Sequence, residues 1–280
     1  MRIAVASGKG GTGKTTVSVS LAQVMAEREP TTLIDCDVEE PNDHLFVRPE
    51  ITDEAPVEVP VPKVDPRACD ACGQCSRACR FNAIVSLQTK AMVFEELCHG
   101  CGGCALACPR RAITEVNRTV GTVREGRRDM LRFVDGLLNV GEAMAVPVIR
   151  EVTRRVRDDE LTILDCPPGT SCSMIAAVRG ADAGLLVTEP TPFGLNDLRL
   201  AVETFRLLEV PFGVVINRAD MGDGRVVDYC REEDIDVLLS IDEDRDIAEA
   251  TSRGVPAHHG RPALKKQLVD LAAAAKELAR

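Results

Sequence analysis

The 280-residue chain reads as an α/β fold, a mainly parallel central sheet with helices on both faces, interrupted once by a small cysteine-rich α+β module. Three observations predict it. Short apolar runs closed by turn signals alternate with stretches of helical period, the pattern of strand–helix–strand units. A Gly-x-x-x-x-Gly-Lys-Thr motif, Gly8 to Thr15, joins the first apolar run to the first helical stretch. Eight of the twelve cysteines fall between Cys69 and Cys108, in a segment whose composition differs from its surroundings.

Composition narrows the function classes. Hydrophobic residues make up 45% of the chain, ample for a sizeable core, and no apolar run approaches the ~20 residues of a membrane span. The formal charge is −10 with no long basic block, so neither nucleic acid nor a membrane is an expected partner. The first strand begins at once, without a signal-like segment, so a cytoplasmic protein is expected. Reduced thiols in that compartment point to metal or redox chemistry, not to a disulfide framework.

In chain order, residues 2 to 7 form the first strand, around Ile3-Ala4-Val5-Ala6. Backbone N–H groups from Gly8, Gly10, Gly11, Thr12, Gly13, Lys14, Thr15 and Thr16 would wrap the phosphates of a nucleotide at a helix N-terminus. Lys14 would reach the terminal phosphates and Thr15 would hold Mg²⁺. A helix from Thr15 to about Arg28 carries Val17, Leu21, Val24 and Met25 on one face, and Pro30 ends it. Residues 31 to 35 form a second strand, ending in Asp35-Cys36-Asp37 at the carboxyl edge where ligands lie in such sheets. Prolines alternate with valines from Glu50 to Pro66, an extended edge strand and entry linker.

Then Cys69, Cys72, Cys75 and Cys79, followed by Cys98, Cys101, Cys104 and Cys108, form two copies of C-x₂-C-x₂-C-x₃-C offset by 29 residues. Gly73 and Gly102, and Ala83-Ile84 and Ala112-Ile113, repeat at the same offset. Three cysteines at i, i+3 and i+6 wrap one corner of an iron–sulfur cubane, whereas zinc ribbons pair two separated C-x₂-C knuckles. Downstream, the sequence predicts a hairpin around Gly121 and Gly126, a strand over 130–134 and a helix over 143–157. Strand 161–165 ends in Asp165 and runs into Cys166-Pro167-Pro168-Gly169. Strands 183–188, 212–216 and 236–241 alternate with helices 195–208, 225–233 and 243–253. A last helix over 262–278 has a core-facing stripe of Leu264, Leu268, Leu271 and Ala275. Cys36, Cys166 and Cys230 read as small buried residues.

The Lys-Gly-Gly-x-Gly-Lys-Thr loop, with Lys9 ahead of Lys14, resembles the deviant Walker A of the ParA, MinD and nitrogenase iron protein group. That resemblance implies an ATP-dependent dimer in which Lys9 crosses to the partner's nucleotide. It implies that Asp37 orients or activates the attacking water and that Asp35 and Asp165 fix the outer Mg²⁺ shell. It also implies that the Gly169 amide senses the γ-phosphate and that Asn217 lies on the adenine. Cys172 stands seven residues beyond Asp165, the separation of a cluster-ligating cysteine in nitrogenase iron protein. It reads either as a contact to an interface metal or client cofactor, or as a small buried residue at a helix start. The duplicated cysteine motif resembles the bacterial two-cluster ferredoxin, in which the fourth ligands are exchanged. Two [4Fe-4S] clusters are then implied, one on Cys69, Cys72, Cys75 and Cys108, the other on Cys98, Cys101, Cys104 and Cys79. Arg80 replaces the proline that follows the fourth cysteine of the other copy.

Together these features resemble MinD-type P-loop ATPases that contain an inserted ferredoxin, with residues 64–113 as the insert and 1–63 plus 114–280 as the discontinuous ATPase domain. The function implied is ATP hydrolysis coupled to electron transfer, or to assembly or reduction of a metal centre on a client protein. The dimer would be a homodimer or a heterodimer with a paralogue. The alternative is a positioning switch of the MinD and ParA kind, in which the clusters sense redox state or brace the fold. A glutamine-dependent amide ligase is disfavoured, because no stretch remains for a glutaminase domain.

Overall fold

The computed structural model describes residues 1–280. They gather into two compact units, one from Met1–Ala55, Val123–Leu137 and Val148–Arg280, the other from Pro56–Thr122 and Leu138–Pro147.

The larger unit opens with β1 (Arg2–Ala6), α1 (Lys14–Ala26), β2 (Thr31–Asp35) and a one-turn α2 (Asp43–Val47). Strand β3 (Glu50–Val64) starts there and ends in the smaller unit, which holds α3 (Gln74–Ala78), β4 (Ile84–Ser86), β5 (Ala91–Val93) and α4 (Gly103–Leu106). Strand β6 (Ile113–Arg128) leads back to the larger unit, where β7 (Leu131–Leu138) begins. There follow α5 (Val146–Thr153), β8 (Leu161–Asp165), α6 (Cys172–Val178), β9 (Ala183–Thr188) and α7 (Pro192–Leu207). The chain closes with β10 (Phe212–Asn217), α8 (Arg225–Glu232), β11 (Val237–Ile241), α9 (Arg245–Ser252) and α10 (Pro262–Leu278).

One sheet runs in the order β11-β10-β9-β1-β8-β2-β7-β6-β3. From β11 to β7 every neighbouring pair is parallel. The register sets Val5 of β1 beside Asp165 of β8, and Asp165 beside Asp35 of β2. Three strands therefore end level, and the loops leaving their carboxyl ends converge, which is what an open parallel sheet does at its ligand edge. Strands buried on both faces need continuous apolar runs, and β2, β8 and β9 are buried at every position. On one face Ile3, Leu33, Phe133, Ile163 and Leu185 pack against α1 and α10. The predicted stripe of Leu264, Leu268, Leu271 and Ala275 is buried there, each leucine contributing about 1.5–3 kcal/mol. Helix α7 starts where Thr191 accepts the Gly194 N–H at 3.0 Å and Pro192 occupies the first turn.

The predicted hairpin at Gly121 and Gly126 is not there. Both glycines lie inside β6, and the chain reverses at Asp129-Met130, with Asp129 at φ 52°. Gly126 marks a close approach instead of a turn, since a Cβ there would lie 2.3 Å from the Glu50 carbonyl oxygen. Strand β7 accordingly extends to Leu138, and α5 is shorter than the helix expected over 143–157.

The smaller unit keeps the sequence repeat in its backbone. Left-handed residues recur 29 positions apart, at Ala71 and Gly100, Gly73 and Gly102, and Asn82 and Arg111. Gly73 and Gly102 cap α3 and α4, and Ile84 and Ile113 are buried at equivalent points of a small core with Cys75 and Ala91.

Candidate functional site

The loop between β1 and α1 holds the glycine-rich motif, and Gly13 caps α1 in the left-handed region at φ 89°. Asn217, at the end of β10, donates from Nδ2 to the Thr12 carbonyl at 2.9 Å, and a Cβ on Gly13 would lie 2.3 Å from that amide nitrogen. Asn217 thus braces the phosphate loop. On the far side of the loop, the Gly169 N–H donates to the Ser7 carbonyl at 3.0 Å, tying the segment after β8 to the loop.

Asp165 is the hub. It is buried and accepts from Lys14 Nζ at 2.7 Å, Thr15 Oγ1 at 2.8 Å and Ser18 Oγ at 2.7 Å. Burial works against the charge on Lys14, but Asp165, with Asp43 and Asp35 behind it, outweighs that and holds the ammonium above the usual lysine range. Asp35 is buried as well and organises the loop after β2. Its carboxylate accepts the Asp37 N–H at 3.0 Å, the Asn42 N–H at 3.0 Å and the Asp43 N–H at 3.1 Å. Burial, and then the charge of Asp165, push the Asp35 carboxyl up to about 8. Asp37 is half-buried on the same loop, and burial raises its carboxyl too. Sequence reasoning missed Ser18, which hides among apolar helix residues, and Asp43, which looks like an ordinary helix-opening acid.

Lys9 lies outside this cluster. Its ammonium is 3.7 Å from Glu189, which also pairs with Arg218 at 2.6 Å, and Arg218 reaches Glu243 at 3.0 Å. Cys36 and Cys166 follow the two level aspartates and are fully buried, with thiols turned back to the Ile34 and Leu164 carbonyls at 3.9 and 3.7 Å. Burial pushes both thiols up, which keeps them protonated and inert. Cys230 is buried likewise. Cys172 is exposed in the first turn of α6, so the small-buried-residue reading does not describe it.

In the smaller unit the eight clustered cysteines line two cavities. Cys69, Cys72, Cys75 and Cys108 line one, and Cys79, Cys98, Cys101 and Cys104 line the other. Each motif therefore sends its last cysteine to its twin's cavity. Backbone N–H groups point at sulfur in both halves, Ala83 to Cys79 and Ala112 to Cys108, each at 3.3 Å. His99 stacks on Phe81 at 3.5 Å beside the second cavity.

The family model described as the CobQ/CobB/MinD/ParA nucleotide binding domain matches residues 3–257. The chain belongs to that family. A relative, an uncharacterized protein of Methanocaldococcus jannaschii, is 32% identical over 235 residues, covering 81% of this chain and 83% of its own. An iron-sulfur cluster carrier protein of Pyrococcus horikoshii is 26% identical over 278 residues, covering 91% of this chain and 78% of its own. Among solved structures, the septum site-determining protein MinD of Pyrococcus horikoshii, complexed with Mg-ADP, superposes with a TM-score of 0.61 at 19% identity. That match covers 99% of this chain and 96% of the MinD chain and shows a shared fold. No helix is long and apolar enough to cross a membrane.

Proposed function

We propose that this protein binds and hydrolyses ATP and couples its nucleotide state to electron transfer, or to assembly or reduction of a metal centre on a client protein. The observation that carries the reading is the pairing, in one chain, of the Lys14–Thr15–Asp165 cluster under a phosphate loop with two cavities of four cysteines each. Lys14 neutralises the terminal phosphates once it leaves Asp165, and Lys9 leaves Glu189 to reach the nucleotide of a second protomer. Thr15, with Asp35 and Asp165 beside it, would hold Mg²⁺, which would neutralise phosphate charge. Asp37 orients the attacking water. The Gly169 N–H exchanges the Ser7 carbonyl for the γ-phosphate, and Asn217 contacts the adenine. Lys14, Lys9 and the Gly169 N–H put fixed charge or a fixed donor where the phosphoryl group develops charge.

The donor set of the smaller unit suits iron–sulfur chemistry, with four thiols per cavity and backbone N–H groups aimed at sulfur. Two [4Fe-4S] clusters held there would supply one-electron transfer. The name of the Pyrococcus relative, an iron-sulfur cluster carrier protein, supports this direction. The ferredoxin-like insert is residues 64–113, reached through β3 and left through β6, strands that each span both units. Exposed Cys172 is the candidate contact to an interface metal or to the client. The working assembly is an ATP-dependent dimer, of two copies or with a paralogue.

The test joins three measurements on protein isolated without oxygen. Roughly eight iron atoms per chain and a visible charge-transfer band are expected, and stoichiometric zinc without iron would overturn the redox half. Hydrogen exchange in residues 64–113 and around Cys172 is expected to differ between ADP and a non-hydrolysable ATP analogue. Identical exchange would sink the coupling. Lys14→Ala is expected to abolish both ATP hydrolysis and that difference.

A further inference from the structure

Asp43 is fully buried at the start of α2, and no donor reaches either of its carboxylate oxygens. Its neighbours are better served. Asp165 takes three donors from Lys14, Thr15 and Ser18, and Asp35 takes three backbone N–H groups. A carboxylate left without a donor away from water is among the costliest arrangements in a folded chain. Asp43 is aimed at the other two acids, with one oxygen from each of Asp35, Asp43 and Asp165 lying within 4.8 Å of the others. Lys14 is the ammonium paired with this group. With all three acids ionised, three carboxylates against one ammonium would carry a formal charge of −2, which one divalent cation cancels. Three buried carboxylate oxygens are hard ligands of the kind that Mg²⁺ and Mn²⁺ take.

We infer that Asp43, Asp35 and Asp165 form a cage that takes a Mg²⁺-class cation directly, without nucleotide, with Asp43 as a ligand and Lys14 as the competitor for Asp165. The inference rests on the nucleotide-site reading, because Asp35, Asp165 and Lys14 belong to both, and it concerns the nucleotide-free state, before Thr15 and phosphate take the cation. It adds an order of events to that reading. A cation entering the cage takes the Asp165 oxygen that now holds Lys14, and the freed ammonium becomes available to phosphate.

The probe is Mn²⁺, titrated into the cluster-containing protein without nucleotide, with free Mn²⁺ read by its electron paramagnetic resonance signal. One Mn²⁺ per chain is expected to bind tightly. Asp43→Asn, nearly the same shape, is expected to weaken it at least tenfold with unchanged far-UV circular dichroism. Lys14→Ala is expected to tighten it severalfold by removing the competitor, a gain that general damage to the fold does not produce, and this keeps the test decisive if Asp43→Asn unfolds. No uptake by the wild type overturns the cage, as does equal affinity in Asp43→Asn. Weaker binding in Lys14→Ala overturns it too. A fluorescent ADP analogue measured alongside separates the two readings. ADP binding without nucleotide-independent Mn²⁺ uptake removes the cage and leaves the nucleotide site, and Mn²⁺ uptake without ADP binding does the reverse.

Discussion

Glu189 stands between Lys9 and Arg218, and replacing it by glutamine tests whether Lys9 is held back within its own protomer. The Lys9 ammonium lies 3.7 Å from the carboxylate, beyond hydrogen-bond range, and the lysine side chain is 32% exposed. An ion pair of that kind contributes about 0.5–1 kcal/mol. If Lys9 must leave Glu189 to reach the partner's nucleotide, each protomer gives up that contact on dimerisation, so Glu189→Gln removes about 1–2 kcal/mol of opposition per dimer. The ATP-state dimer is then expected to tighten by roughly 5- to 30-fold. Sedimentation velocity with a non-hydrolysable ATP analogue measures this, and the gain should shrink at high salt, where the wild-type ion pair is already screened. Glu189 also loses Arg218 in the variant, so Arg218→Gln is the control. That change leaves Lys9 and Glu189 facing each other and is expected not to tighten the dimer. An unchanged or weaker dimer in Glu189→Gln, or equal tightening in Arg218→Gln, would refute the idea that Glu189 restrains Lys9.

Two further predictions concern the frame and the cysteines. Arg132 is buried and donates to Glu125 at 2.7 Å and to the Arg155 carbonyl at 2.9 Å, and the hydrogen bond from Arg132 holds the Glu125 carboxyl below its ordinary value. Its folded-state value lies below its unfolded one, so this stabilisation is complete above about pH 4.5 and is lost as pH falls through the lowered value. Glu125→Gln is expected to cost about 1–3 kcal/mol at neutral pH and to remove part of the acid-side fall, read by urea unfolding with far-UV circular dichroism since the chain has no tryptophan. Cys108→Ser is expected to remove the same paramagnetic signal as Cys69→Ser and to spare the one removed by Cys104→Ser, although Cys108 is nearer in sequence to Cys104. Loss of the Cys104 signal in Cys108→Ser would show that each motif closes its own site.

What was legible in the sequence is what repeats or runs continuously. Buried parallel strands need unbroken apolar runs, so β1, β2, β8 and β9 stood out, and the phosphate loop was legible because glycine, lysine and threonine have fixed jobs at fixed spacing. The cysteine duplication was legible for the same reason, down to the glycines that cap α3 and α4. Gly126 misled because one residue type serves both turns and close strand approach, and only the neighbouring Glu50 backbone tells them apart. Cys172 left two readings open because burial depends on what the rest of the fold sets beside it. Asp43 was hidden for a deeper reason. Asp35 ends β2 and Asp43 opens α2, so no single helical or strand period relates them. The place of Asp43 beside Asp165 is created by the loop that Asp35 itself folds, through its hydrogen bonds to the N–H groups of Asp37, Asn42 and Asp43. The carboxylate that shapes the loop is thus the one that carries a third acid into the phosphate site. Asp35→Asn keeps one acceptor oxygen but sets an amide NH₂ against N–H groups that the other oxygen now accepts. It is therefore expected both to remove a cage carboxylate and to displace Asp43, and to weaken Mn²⁺ binding at least as much as Asp43→Asn does.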